Sequence, residues 1–423
     1  MTASCPAERI IIDRPQALRI IEKLRKGTDC LEGVQSFSAG RHPLVAAAVE
    51  QFEELELSAG ATVRWVRGRT GQGKTHFFAR LIDSAHARNW VTSYVQISDK
   101  GAGVELHRFE EVYAAIIRNC LCSELVAEES GRIEPGQIAG WDWILQHWWT
   151  SLRRQVAARG SGTVPTFRLQ ETIAQAVTAL RRRWNVHAAF AEALRQFALA
   201  EMEGDVDWSN VIRRWFQGHD VHSQGGDVRA RLRAAGIPES VRRQNAREML
   251  RSVSAFLKYR GHGGVLILLD ELENVLHQPP SGRRAAWVIL RELIDNLDDV
   301  HGMTHAAFYI AATPDVFEAE KGITEYEALA ERVLLPGHHG GRNPAASLID
   351  LAAWPLMRED LLLVGERITA LHMVAKNWQA GAEVAQNLAE LLDECLRRDR
   401  SLTARSWVKE AVNRLDQLRE AHR

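Results

Sequence analysis

A lysine and a threonine preceded by glycines at fixed spacing form an arrangement able to hold a chain of phosphates. Gly68-Arg69-Thr70-Gly71-Gln72-Gly73-Lys74-Thr75 fits G-x-x-x-x-G-K-[ST] with no mismatch. Glycines let the main chain wrap round an anion, so that successive N–H groups point inward. Gly68, Arg69, Thr70, Gly71, Gln72 and Gly73 make that cradle, with His76 just behind it. Lys74 adds a positive charge for the outer phosphates, and the Thr75 hydroxyl is a ligand for Mg²⁺. These residues predict binding of a nucleoside triphosphate, ATP, together with Mg²⁺.

A second acidic element completes the chemistry. Asp270-Glu271 ends the apolar run Val265–Leu269. A carboxylate at the C-terminal end of a buried parallel strand lies where open α/β sheets bind ligands. Asp270 is expected to hold Mg²⁺, directly or through water, and Glu271 to act as general base on the attacking water. Glu273, further round the turn, is the other candidate base, and an N-capping Asp270 is the plain alternative. Thr313, after the run Ala306–Ala312, is either a residue that orients the lytic water or a turn threonine before Pro314. Arg332 is either a surface arginine or an arginine finger reaching a neighbouring subunit's γ-phosphate in a homo-oligomer.

These residues need a parallel sheet to position them, and the pattern supplies one. Val63–Arg67 alternates into a short strand, and a helical pattern opens at Thr75. Val91–Ile97 is rich in β-branched and aromatic residues, as a strand requires. Phe109–Cys120 is helical, Gly264–Asp270 and Ala306–Ala312 read as strands, and Ala285–Leu297 reads as a helix. Strand, loop, helix, strand, helix is the βαβ pattern of a parallel sheet with crossover helices. Arg9–Leu57 has helical periodicity and is expected to pack beside the nucleotide domain. Helical stripes fill 121–260, broken at Gly160–Thr163, Gly218–Gly226 and Gly236–Pro238. Everything from about Ala353 is helical. The expected divisions are a helical lead-in (1–60), a first core segment (61–120), an insertion (121–260), a second core segment (261–345) and a helical lid (346–423).

Composition narrows the class. The chain has 423 residues, 46% of them hydrophobic and 25% charged, with a formal net charge of -1. This is the balance of a globular protein, with no overall field to draw an acidic partner. The start of the chain carries charge where a signal peptide needs an apolar stretch, and no run is long enough to cross a bilayer. A cytoplasmic protein without membrane contact is expected. The five cysteines, Cys5, Cys30, Cys120, Cys122 and Cys395, are scattered. Cys120 and Cys122 lack a second Cys/His pair at zinc spacing and read as buried thiols.

With these residues in view, the sequence resembles an AAA+-type P-loop ATPase of the Orc/Cdc6-like branch. More closely, it resembles the BREX-system ATP-binding family known as BrxD. The likeness rests on Ile20–Gly27, on Gly73-Lys74-Thr75-His76-Phe77, on Val112–Asn119, and on Leu269-Asp270-Glu271-Leu272-Glu273. The fold class this implies is α/β: an AAA+-like parallel sheet core with a large helical insertion and a C-terminal helical lid. The function it implies is a bacterial anti-phage defence ATPase acting with other defence-system proteins on DNA. It also implies a sensor arginine that closes over the nucleotide, and Arg405 in Thr403-Ala404-Arg405 matches by position. An alternative is an ATP-dependent regulatory or scaffolding switch, including a transcription-regulator type, with little turnover. The stretch after Ala353 is too short for both a lid and the winged-helix DNA-binding domain usual in Orc/Cdc6 proteins. Contact with DNA must then come from elsewhere.

The insertion is the expected source. Residues 141–260 hold 19 Lys/Arg against 11 Asp/Glu. They also hold seven of the 13 tryptophans: Trp141, Trp143, Trp148, Trp149, Trp184, Trp208 and Trp215. Positive charge with interleaved aromatics suits phosphate contact and base stacking. Against this, Trp141, Leu145, Trp148 and Leu152 share one helical face, as core residues would. Arg181–Arg183 and Arg229, Arg231 and Arg233 are equally compatible with solvated faces or an acidic protein partner.

Overall fold

The computed structural model describes residues 12–99, 103–128, 140–158, 165–297, 302–334, 342–399 and 402–421. Cys5 and the expected break at Gly160–Thr163 lie outside them. The apolar runs become a six-stranded sheet: β1 (Ala61–Arg67), β2 (Val91–Gln96), β3 (Cys120–Leu121), β4 (Val265–Asp270), β5 (Ala306–Ala312) and β6 (Leu348–Asp350). The order across the sheet is β3-β2-β4-β5-β1-β6. All pairings are parallel except that of β3 with β2. Every residue of β4 and β5 is buried, which is why both read as unbroken apolar runs rather than alternating ones.

Register places the chemistry. Arg67 pairs with Ala312, and Gln96 pairs with Asp270. The C-terminal ends of β1, β2, β4 and β5 therefore emerge along one edge of the sheet. The loop after β1, the acids after β4 and Thr313 after β5 all leave from that edge, where open parallel sheets take their ligands.

Helices cover both faces. One face packs against helices His42–Ser58 and Lys74–Ala87 through Phe52, Phe78, Leu81 and Trp90. The other carries the helical segment between β3 and β4, whose apolar side chains join those of the sheet in one continuous core. The tryptophans of this segment are part of that core. Trp141 packs 5.6 Å from Phe216 and 5.7 Å from Phe256, centroid to centroid. Trp148, Trp149, Trp208 and Trp215 are buried too, and Trp143 and Trp184 are half-buried. The five buried indoles cannot stack bases, so their share of the expected DNA signal is core packing. The four described cysteines are likewise buried, with no disulfide among them.

The lead-in divides. Helix His42–Ser58 packs on the sheet, but helix Arg14–Lys26 joins the C-terminal helices Arg358–Lys376, Glu383–Arg398 and Ala404–Ala421 in a separate apolar cluster. Ala17, Ile20, Ile21 and Leu24 form its buried stripe. Asp13 caps the helix by accepting from the Gln16 amide at 2.7 Å, and Gly27 ends it at φ +68°.

Candidate nucleotide site

The loop after β1 is shaped by a few local contacts. The Gly68 amide donates to the Ala312 carbonyl at 3.1 Å, which fixes the loop's root on β5. The Gln72 amide donates to the Arg69 carbonyl at 3.1 Å, and the Arg69 amide donates to Gln72 Oε1 at 2.6 Å. Gly71 and Gly73 have φ of +78° and +90°, a region other side chains rarely adopt. A Cβ on Gly71 would also lie 3.2 Å from Thr403 Oγ1, so the C-terminal helices approach this turn closely. Helix Lys74–Ala87 then starts with its free N–H groups facing the loop, the usual seat of a phosphate. The buried Lys74 ammonium folds back, 3.0 Å from the Gly68 carbonyl and 3.6 Å from a Glu273 carboxylate oxygen.

Facing the loop, Asp270 is buried and held from several sides. Its Oδ2 accepts from the Thr75 hydroxyl at 2.8 Å and the Tyr94 hydroxyl at 2.9 Å. Its Oδ1 accepts from the Glu271 amide at 2.9 Å. Burial raises its pKa, and the Thr75, Glu271 and Tyr94 donors act against that rise. Thr75 and Asp270 thus offer two hard oxygen donors at the mouth of the glycine-rich loop. That set fits Mg²⁺, which takes few protein ligands and completes its shell with phosphate oxygens and water. No cluster of three or more His, Cys, Asp or Glu side chains suited to a metal occurs among the described residues.

A family model for the BREX system ATP-binding protein BrxC/D matches residues 12–423. The chain belongs to the BrxC/D family. ATP is the ligand of these proteins, and the family is an ATP-binding component of the BREX antiviral defence system. No curated protein matches the chain closely enough to add to this. ATP, the ligand expected from the sequence, is thus the ligand of the family. No helix among the described residues is long and apolar enough to cross a membrane.

The remaining expected residues fall in three places. Thr70, Gly71, Gln72, Gly73, Lys74, Thr75 and His76 line one cavity with Asp270, Glu271 and Arg405. Glu271 sits at φ +58°, a costly conformation for a glutamate that is typically retained where function demands it. Its pKa is raised, first by burial and then by the neighbouring Asp270, Glu273 and Asp29 carboxylates. Arg405 reaches the cavity from the last helix, with Nη2 2.6 Å from Asp29 Oδ1. His76 is pushed down to about 3, first by burial and then by Arg80 and Arg41, so its imidazole is neutral. Its Nε2 lies 2.8 Å from Ser38 Oγ. Thr313 touches the site indirectly: its amide donates to Glu273 Oε2 at 3.2 Å. Arg332 stands outside the cavity on helix Glu327–Val333, paired with Asp295 of helix Pro280–Leu297.

Several contributors carry no motif of their own. Glu273, ranked behind Glu271 from the sequence, is the acid that meets Lys74. Arg41 donates from Nη1 to the Gln72 carbonyl at 2.8 Å and from Nε to the Trp354 carbonyl at 2.9 Å. Burial, with Arg80 close by, lowers its pKa to about 10. The wall opposite the loop comes from Leu24, Cys30, Phe37, Val364 and Val408. Phe37 and Arg41 come from the lead-in, and nothing in the local spacing of those residues marks them as site-forming.

Proposed function

We propose that the protein is a P-loop ATPase of the AAA+ type that hydrolyses ATP as an oligomeric, DNA-associated member of a BREX defence assembly. The observation that carries this reading is the contact of Thr75 with Asp270 at 2.8 Å beside Lys74, followed at once by a second acid. The sheet order β6-β1-β5-β4-β2, with the cradle leaving the strand between β6 and β5, supports it.

In this reading the amides of Gly68–Thr75 and the Lys74 ammonium hold the phosphate tail. Thr75 and Asp270 hold Mg²⁺, which supplies charge neutralisation at the phosphates. Glu271 takes a proton from water as the water oxygen bonds to the γ-phosphorus. The bond from the γ-phosphorus to the β–γ bridging oxygen breaks, and ADP and phosphate leave. The raised pKa of Glu271 brings its basicity closer to neutrality, where a general base works best. Arg405 closes over the outer phosphate from the lid. Thr313, whose amide donates to Glu273, orients the water, and Arg332 serves the site of an adjacent subunit.

Glu271→Gln tests the reading. ATP binding should persist while turnover drops by about 10²- to 10⁴-fold, the contribution of a positioned base. Hydrolysis equal to that of the unaltered protein would remove Glu271 from this role. Negligible turnover by the unaltered protein, with and without DNA, would favour a nucleotide-dependent switch instead.

A further inference from the structure

The helical segment holds a concavity of about 430 Å³ that shares no lining residue with the candidate nucleotide cavity and is lined by Arg229, Arg233 and Arg242 with Asp220, His222 and Glu239. Arg229 and Arg233 stand one turn apart on helix Gly226–Ala234, so their side chains lie on the same face. Arg242 faces them from the segment leading to helix Ala246–Tyr259.

None of the three guanidinium groups has an acidic partner within ion-pair distance among the described residues, and what sets them apart from the segment's other unpaired arginines is that they line one concavity. Elsewhere in the same helical segment, Arg213 pairs with Glu201 at 3.0 Å and Arg231 with Asp205 at 2.9 Å. Arg229 donates Nε to the His222 carbonyl at 2.9 Å, which leaves its terminal nitrogens facing outward. The two carboxylates of the concavity are engaged otherwise. Asp220 Oδ1 accepts from the Ser240 hydroxyl at 2.8 Å, and Glu239 Oε1 accepts from the Asn245 amide at 3.1 Å. Beneath them the buried His222 is tied to the Ser240 hydroxyl and to the Ile237 carbonyl.

We infer that this concavity is the DNA contact of the protein and that it grips the phosphodiester backbone of a duplex. The inference rests on the DNA-associated reading and gives it an address. Charge decides the class of ligand: three unpaired guanidinium forks converge where a polyanion can supply the missing partners. Chemistry of the lining decides what is read. Apart from His222 no aromatic side chain lines the concavity, and the tryptophans of the segment are buried or half-buried. Without a stacking platform or an exposed base reader, the site senses backbone charge and not sequence. An acidic protein surface is the competing occupant.

The test is fluorescence anisotropy of a short labelled duplex with the full chain, from about 50 to 200 mM salt. Arg233→Ala/Arg242→Ala is the variant of choice because both residues are exposed and their side chains hold no other part of the fold. Each lost phosphate contact lowers the slope of log affinity against log salt by about 0.9, so the double variant should be shallower by roughly 1.8. A duplex of unrelated sequence should bind alike. The ATP-induced thermal shift of the variant reports that it is folded, and Arg233→Glu and Arg242→Glu taken singly give the same reading if the double variant is not. A folded variant with the slope of the unaltered protein overturns the concavity as the contact while leaving DNA association standing. An unaltered protein that shows no salt-dependent duplex binding overturns both.

Discussion

Lys74→Ala puts the cradle to its most direct test. In the free protein the ammonium sits 3.0 Å from the Gly68 carbonyl and 3.6 Å from Glu273. On the proposed reading, ATP binding exchanges the Glu273 carboxylate for phosphate oxygens of higher charge. A net hydrogen bond to a charged group is worth about 1.5–3 kcal/mol. Each 1.4 kcal/mol is a factor of ten, so the variant should bind ATP roughly 10- to 150-fold more weakly. AMP, which lacks the outer phosphates, should bind almost as before. Isothermal titration calorimetry with Mg²⁺ measures both, and the melting temperature without nucleotide shows whether the fold survives. Glu273→Gln works in the opposite sense, because it frees the lysine from a competing acid, and should leave ATP affinity equal or tighter. A folded Lys74→Ala protein that binds ATP with unchanged affinity would refute the assignment of Gly68–Thr75 as the phosphate cradle.

Three further outcomes are expected. Asp270→Asn keeps an acceptor for the Thr75 and Tyr94 hydroxyls but removes the charge that holds the metal. ATP affinity titrated against Mg²⁺ should lose most of its dependence on the ion. His76 is held down to about 3 by burial, so the unfolded chain binds its proton first as pH falls. Stability from this group is fully present above about 6.5 and is lost as pH drops from there towards 3. Asp83, pushed up to about 6 by burial, acts in the opposite sense. The comparison is therefore the melting temperature of His76→Gln against the unaltered protein at pH 7.5 and pH 5, with a smaller loss expected for the variant. Arg332→Ala should be inactive when assembled alone but recover turnover when mixed with inactive Lys74→Ala subunits, because a finger serves its neighbour. Full activity of Arg332→Ala alone would return that arginine to its pairing with Asp295.

The parts of the fold visible in the sequence are those where one physical cause dominates. β4 and β5 are buried on both faces, and Gly264–Asp270 and Ala306–Ala312 accordingly read as apolar runs with ends correct to within a residue. The three-residue β6 and the two-residue β3 are too short to carry a period, and neither was expected. The loop at Gly68–Thr75 is legible because its glycine spacing follows from main-chain geometry. The split of the lead-in was not legible, since Ala17, Ile20, Ile21 and Leu24 show that a helix has an apolar face but not what covers it. The tryptophans misled for the same reason. Residue type alone does not distinguish an indole in a core from one on a surface, and Trp141 and Trp148 were distinguished only by sharing a helical face.

The division of the lead-in bears on how ATP could act on the rest of the molecule. Helix Arg14–Lys26 belongs to the C-terminal helical cluster, helix His42–Ser58 belongs to the sheet, and the segment between them walls the nucleotide cavity. Arg41 in that segment ties the Gln72 carbonyl of the cradle to the Trp354 carbonyl at the approach to the lid. Arg405 is held across the cavity by Asp29, a pair more than a third accessible on both sides. Pairs this exposed contribute about 0–1 kcal/mol, too little to keep the guanidinium from a phosphate that offers more charge in a less exposed setting. On the sensor role proposed for Arg405, occupancy by a triphosphate trades this weak contact with Asp29 for one with the phosphate at the sheet edge. A diphosphate, lacking the outer group, has less to draw Arg405 away from Asp29.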